Sequence, residues 1–242
     1  MIKIIFKIII PILIIHFAVI QVSKISGQSM EGTIKNGDYA IISMSSYGIP
    51  IPSLYSLDKD LFPDFNNNGH LTEGPSPERG EVIVLKHKKR GEMKHFLKRV
   101  FATGGDEIIF TKDKIYLSMN DTERAILKKS KIIDNKRYWI NPYDGMNFKN
   151  DNFSSFDNAI NKFNEHISKN EEVRSPVYIK DLKEKEFEIN NKKYNAFYYK
   201  VPKGKFFVMG DNINVSEDSR IFGAIETKDI LGKVITVINL TI

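Results

Sequence analysis

Apolar residues are spaced in three different ways along this chain, and each spacing predicts a different kind of element. From Ile4 to Val22 only Lys7, His16 and Gln21 are strongly polar. About 20 helical residues cross a hydrocarbon core, and Lys7 is near enough to the end to snorkel, so one transmembrane helix is expected within residues 1–23. Beyond it, short β-branched or alternating segments recur at 38–44, 81–86, 95–103, 107–111, 206–209 and 233–238, bounded by Gly, Pro, Asn or Asp, as antiparallel strands are. Over 112–200 the alternation weakens, the composition turns to Lys, Asn, Asp and Tyr, and Phe156, Ile160, Phe163 and Ile167 share one face of a predicted helix. The expected architecture is mainly β: an anchor over 1–23, an antiparallel β core in two parts, 24–111 and 201–242, and an inserted α+β subdomain over 112–200.

Charge orients this arrangement. Lys3 and Lys7 precede the apolar run, so the positive-inside rule keeps them cytoplasmic and sends everything after Val22 outward. A cleaved signal peptide begins the same way, but no small-x-small site precedes Ser26 and cleavage would fall almost on the Ser-Met motif that follows; the anchor is expected to stay. The formal charge of +6 comes from lysines scattered through the chain, a solvated surface rather than a nucleic-acid footprint. Cysteine is absent, which excludes disulfides, Cys-ligated zinc and thiol nucleophiles without fixing the compartment.

The candidate chemistry begins a few residues past the anchor, in Gly27-Gln28-Ser29-Met30-Glu31-Gly32-Thr33-Ile34. A serine needs a base, yet no Gly-x-Ser-x-Gly elbow occurs and the five His residues stand in no triad context. Lys98 is the candidate. Strand alternation puts it on one face with Phe96 and Val100, and Arg99 on the other with Leu97 and Phe101. Desolvation there lowers a lysine pKa and makes the neutral amine available, although a strand lysine taken alone is usually a solvated edge residue. Near the C-terminus a strand leads into a loop with Asp211, Asn212, Ser216, Asp218, Ser219 and Arg220. Asp218 and Arg220 are suited to pair and Ser216 to fix the Lys98 rotamer; the plain alternative is a polar turn with Asx hydrogen bonds. The run Asp64-x-Asn66-x-Asn68-Gly69 begins like a calcium loop, but its twelfth position is Pro75 instead of a bidentate Glu. An Asx-rich surface loop is expected there, with no metal and no other cofactor.

Taken in order, Ser29-Met30 with Thr33 and Gly37-Asp38, then Arg79-Gly80-Glu81, then Lys98-Arg99 with Gly104-Gly105-Asp106, then Gly210-Asp211-Asn212 and Ser216-x-Asp218-Ser219-Arg220 resemble type I signal peptidases, the bacterial Ser/Lys leader peptidases. The likeness spans the core and leaves 112–200 without a diagnostic motif. Ser46-Tyr47-Gly48-Ile49-Pro50 and the segment from Phe62 to Leu71 look like those of campylobacter-like bacteria. The resemblance implies a single-pass serine endopeptidase of the bacterial inner membrane, its N-terminus cytoplasmic and its catalytic domain periplasmic. It would remove signal peptides from exported preproteins after small-x-small motifs, close to the bilayer and to the protein-export channel, with no nucleic-acid partner. It implies that Ser29 attacks the scissile carbonyl, that Lys98 is base and then acid, that Ser216 orients Lys98 with Asp218 and Arg220 behind it, and that the Ser29 N–H meets the oxyanion. Ile25, Met30, Ile34, Phe96 and Leu97 would line the subsite for small side chains; on the residues alone all five are ordinary core. Three positions depart from the family pattern: Gly32 replaces a common Pro and loosens the turn, Gly27 replaces a hydroxyl donor, and Ile213 replaces an Arg. A specialised pilin or conjugation-protein peptidase, and an inactive membrane-tethered peptide-binding relative, stay open as alternatives.

Overall fold

A computed structural model describes residues 19–54, 59–60, 62–89, 91–110, 115–119, 130–133, 136–140, 143, 146, 183–189, 192–213 and 215–239. The strands are β1 (Ile20–Lys24), β2 (Tyr39–Ser43), β3 (Ser53–Leu54), β4 (Lys59–Asp60), β5 (Val82–Lys89), β6 (Glu92–Thr103), β7 (Glu107–Phe110), β8 (Ile115–Ser118), β9 (Ser130–Ile133), β10 (Lys136–Ile140), β11 (Lys183–Ile189), β12 (Lys192–Lys200), β13 (Lys205–Met209), β14 (Ile225–Glu226) and β15 (Ile230–Ile238). One short helix, α1 (Ser219–Phe222), and a 3-10 turn at Thr227–Asp229 complete the described elements.

Seven strands form the first sheet in the order β1-β2-β15-β5-β6-β13-β14, every neighbouring pair antiparallel. β15 therefore lies between β2 and β5. In β5 Ile83, Val84 and Leu85 form a buried run, at most 5% exposed, because both faces of the sheet are covered there, whereas β2 alternates. β6 is long and changes character along its length: 92–97 are exposed or half-buried, whereas 98–102 are all buried. A register shift against β13, between Phe207 and Val208, leaves Phe101 as the extra residue of a bulge. Val100 packs with Ile83, Leu85 and Val208, while Phe101 and Ala102 pack with Phe207, Met209, Ile108, Phe110 and Tyr199. The latter cluster joins the first sheet to a second, six-stranded one in the order β11-β12-β7-β8-β10-β9.

All six strands read from alternation are strands here. Two boundaries differ from the expectation. The second sheet begins with β7, so the inserted unit starts at the Gly104-Gly105-Asp106 turn, and it ends at Val201, where Gly105 N donates to Val201 O at 2.9 Å and Val201 N to Asp106 O at 2.9 Å. The two crossings between sheets are thus bonded to each other. At the other boundary, Ile20–Val22 do not finish a helix; they lie in β1, where Ile20 pairs with Ser43 and Val22 with Ile41, because β-branched residues beside an open β2 edge satisfy their backbone in the ladder. Residues 1–18, which carry most of the expected span, and the expected helix over 156–167 lie outside the described residues. Among the described residues no helix is long and apolar enough to cross a membrane.

Candidate active site

The Ser29 loop is closed at its base by Ile25 N donating to Asp38 O at 2.7 Å and Gly37 N to Ile25 O at 2.9 Å. Within it, Met30 O accepts from Thr33 N at 3.1 Å and Ile34 N at 2.9 Å, so one tight turn follows the serine. Met30 and Ile34 are driven into a core with Ile25, Ala40, Ile42, Val84 and Leu231, which fixes the backbone on which half-buried Ser29 stands. Gly32 has φ 119°, a region closed to proline. The departure at Gly32 is therefore a differently shaped turn, held by hydrogen bonds, and not a loosened one.

Lys98 is 1% exposed and lies on β6 opposite Ile83 of β5. Its Nζ donates to Ser29 Oγ at 2.9 Å and sits 5.6 Å above the centre of the Phe96 ring. Burial, the largest influence, pulls the ammonium down to about 8; Asp218 and Glu217 oppose the fall, while Arg220 and Lys89 add to it. A substantial neutral fraction thus exists in the mildly alkaline range.

The third contributor is the loop after β13. Asp218 accepts from Gly210 N at 3.0 Å, from Arg220 N at 3.2 Å, and from the Arg220 guanidinium through Nε and Nη2, each at 2.8 Å. Burial alone would raise the Asp218 carboxyl, but Arg220, the Gly210 N–H and Lys98 outweigh it and hold it below the usual carboxylate range. Arg220 Nη2 also donates to Ile213 O at 2.9 Å and Ser216 O at 3.2 Å, so the guanidinium supports the loop from inside. Asn212 N donates to the Ser29 carbonyl at 3.0 Å, tying this loop to the Ser29 peptide. A Cβ on Gly210 would meet Ser216 Oγ at 2.2 Å and Ser29 O at 2.3 Å; three segments close here only because the side chain is missing.

Ser216 departs from the expectation. Its hydroxyl is buried and has no hydrogen-bond partner among the described residues, so the bond to Lys98 is not made. The oxygen lies against Gly210 while Lys98 Nζ is engaged by Ser29.

The five subsite candidates divide. Ile25, Met30 and Ile34 share one cluster, and Leu97 packs against it. Phe96 is on the other face of β6, against Tyr47, Ile83, Leu85 and Val100; alternation sends it towards the Lys98 amine and away from the other four. Met30 at 2% and Ile34 at 1% exposed are core residues. Gly27 offers no side-chain donor, and its N–H goes to Asn36 Oδ1 at 3.2 Å. The Asp64 carboxylate accepts from Asn68 N at 3.1 Å and Gly69 N at 2.8 Å, an Asx arrangement that folds the loop on itself.

Sequence reasoning underrated one residue. Arg99 binds Asp211 through Nε at 2.8 Å and Nη2 at 2.6 Å, donates to Gly80 O at 2.6 Å and reaches Thr33 Oγ1 at 3.3 Å. It links the Ser29 loop to the Gly210-Asp211 segment from the face opposite Lys98. The signal was a guanidinium between Leu97 and Phe101 on an apolar face, which demands a buried carboxylate. Arg79 and Asp106 form a similar fork at 2.6 and 2.7 Å, with Thr103 N donating to Asp106 at 2.8 Å, and close the Gly-Gly-Asp turn.

Comparison with known proteins places this geometry among relatives. The family described as signal peptidase, peptidase S26, matches residues 1–239. A signal peptidase I of Helicobacter pylori is 33% identical over 238 residues, covering 93% of this chain and 76% of its own length. One from Buchnera aphidicola is 27% identical, over 92% of this chain and 69% of that protein. A crystal structure of a signal peptidase I from Enterococcus faecalis covers 67% of this chain and 98% of its own at 19% identity, with a TM-score of 0.32.

Proposed function

We propose, from the premise that this chain belongs to the signal peptidase S26 family and is a serine peptidase of it, that it cleaves signal peptides from exported preproteins after small-x-small motifs by means of Ser29 and Lys98. The observation that carries the reading is the 2.9 Å contact between Lys98 Nζ and Ser29 Oγ, made by an amine buried to 1% exposure. Neutral Lys98 accepts the Ser29 proton as Oγ bonds to the scissile carbonyl carbon, and the resulting ammonium protonates the leaving amine. A water then attacks the acyl ester, giving its proton to Lys98, which returns it to Ser29 Oγ as the ester bond breaks and the new carboxyl end leaves. The Ser29 N–H faces the oxyanion; loss of such a donor costs about 2.7–4 kcal/mol in comparable sites. Asp218 and Arg220 hold the Ser216 segment behind the amine through the Ser216 carbonyl and the Gly210 N–H. Leu97, half-buried against the Ile25, Met30 and Ile34 core, is the member of that group placed to limit side-chain size, and Phe96 lies beside the amine.

A single-pass anchor with its N-terminus cytoplasmic places this site on the outer side of the inner membrane, near the bilayer and the export channel. Support comes from the apolar run that begins at Ile4 and from Ile20, Val22, Ile235 and Ile238, whose large apolar side chains are exposed on β1 and β15. The test is cleavage of a preprotein panel by the full chain in detergent, with Ser29→Ala and Lys98→Ala beside wild type. Cleavage by wild type alone is expected. Retained cleavage by either variant sinks the Ser/Lys mechanism, and binding without turnover by wild type points instead to an inert relative; a pilin substrate cut in preference to the panel marks the specialised enzyme.

A further inference from the structure

The β5–β6 hairpin continues past Lys98 as an arm. Cross-strand partners Ile83 with Lys98, Leu85 with Phe96 and His87 with Lys94 place Ile83, Leu85, His87 and Lys89 on the Lys98 face, by the period of two. The end of that face is covered. The His87 ring stacks on Phe222, centroids 4.3 Å apart at 28°, and Lys89 Nζ donates to the Glu217 carboxylate. Phe222 ends α1, and Glu217 stands directly between Ser216 and Asp218. The arm therefore meets the far end of the loop at two places while Lys98 lies between them and the nucleophile.

Lys89 and Glu217 side chains are 35% and 34% exposed, and ion pairs with such access to water add little to stability. Their position matters more. The Ser216 backbone is bonded within its own segment, N to Asn212 O at 3.1 Å and O from Arg220 at 3.2 Å, so Glu217 gives this stretch a tie to the strand pair that carries the amine.

We propose that Lys89 and Glu217 are positioning residues whose ion pair latches the β5–β6 arm, which carries Lys98, to the Ser216–Asp218 loop and so fixes where the Lys98 amine stands relative to Ser29. The inference rests on the Ser29–Lys98 reading. Glu217 and Lys89 also act on the Lys98 charge with opposite sign, alongside Asp218 and Arg220, and that makes the test specific.

Preprotein cleavage by the full chain in detergent is followed over a wide pH range for wild type, Glu217→Gln, Lys89→Met, the double variant and Lys98→Ala. Each single variant is expected to lower kcat about tenfold at unchanged KM, a modest misplacement by the standard of reacting groups, and the double variant no further, as members of one interaction behave. The rising limb of kcat moves to lower pH in Glu217→Gln and to higher pH in Lys89→Met. Wild-type kcat in both singles, additive losses in the double, or limbs moving the same way overturn the latch. If those results come with an inactive Lys98→Ala, the latch alone fails; if Lys98→Ala cleaves like wild type, the Ser/Lys reading fails.

Discussion

Two neighbouring cations on β6 are both buried and are treated in opposite ways. Arg99, on one face, meets Asp211 through two hydrogen bonds and donates two more. Lys98, on the other, contacts a hydroxyl and an aromatic ring, and the nearby Asp218 carboxylate is engaged by Arg220. One face keeps its charge by pairing it; the other makes a charge costly by withholding a partner. A buried cation without a carboxylate sheds its proton more readily, as the proposed role of Lys98 beside Ser29 would need.

The contrast is broken most severely by Lys98→Met. Removing the proposed base is expected to lower kcat by about 10⁴-fold, the upper range for proton transfer by a positioned group, while thermal stability holds or rises, because an apolar side chain replaces a buried amine that meets a hydroxyl and no carboxylate. Unfolding followed by circular dichroism checks the second half, and a destabilised Lys98→Met would mean that the amine is better paired than the geometry indicates. On the opposite face, Arg99→Met is expected to destabilise by about 3–5 kcal/mol, since it strands the Asp211 carboxylate without its partner; denaturant titration measures it. The two substitutions should differ in sign of stability change while sharing a strand.

Acidity separates the faces next. The Lys98 pKa falls from 10.5 to about 8 on folding, so the unfolded chain binds the proton more tightly between those values. Its burial therefore costs stability fully below about pH 8, and the cost disappears as pH approaches 10.5, a gain of roughly 3 kcal/mol by linkage. Wild type should gain this amount relative to Lys98→Met across that window, and a constant difference would refute it. The smallest effect belongs to Phe96→Leu. Loss of the ring beneath Nζ removes about 0.5–1 kcal/mol of cation stabilisation, and the rising limb of kcat should move to lower pH by less than one unit; movement to higher pH would assign the ring another role.

Periodicity made much of this fold legible. Six strands announce themselves by alternation between turn residues, and the same alternation puts Phe96 and Leu97 on different faces. What it could not convey was where a local pattern yields to a neighbour. Ile20–Val22 are apolar enough to end a membrane helix, yet the open edge of β2 takes them as β1. β7 carries a strand pattern that does not state which sheet it joins; the close packing of Gly104, whose Cβ would lie 2.8 Å from Gly204 N, turns it into the second one. In the site, Ser29 and Lys98 are chemically conspicuous as residues, but their approach across 69 positions is a property of the assembled sheet. Met30 and Ile34 are core because the Ser29 loop needs an anchor, and the Ser216 hydroxyl lies on Gly210 because Asn212 draws that loop onto the Ser29 carbonyl.

The order of strands in the first sheet has a consequence for biosynthesis. β1 and β2 flank the Ser29 loop, β5 and β6 carry Lys98, and β15 is the strand that lies between the two pairs. A ribosome delivers residues 230–238 only after everything else in the sheet. Until then the pair that flanks Ser29 and the pair that carries Lys98 share no ladder, and the link between them rests on packing and on contacts such as Arg99 with Thr33 and Asn212 with Ser29.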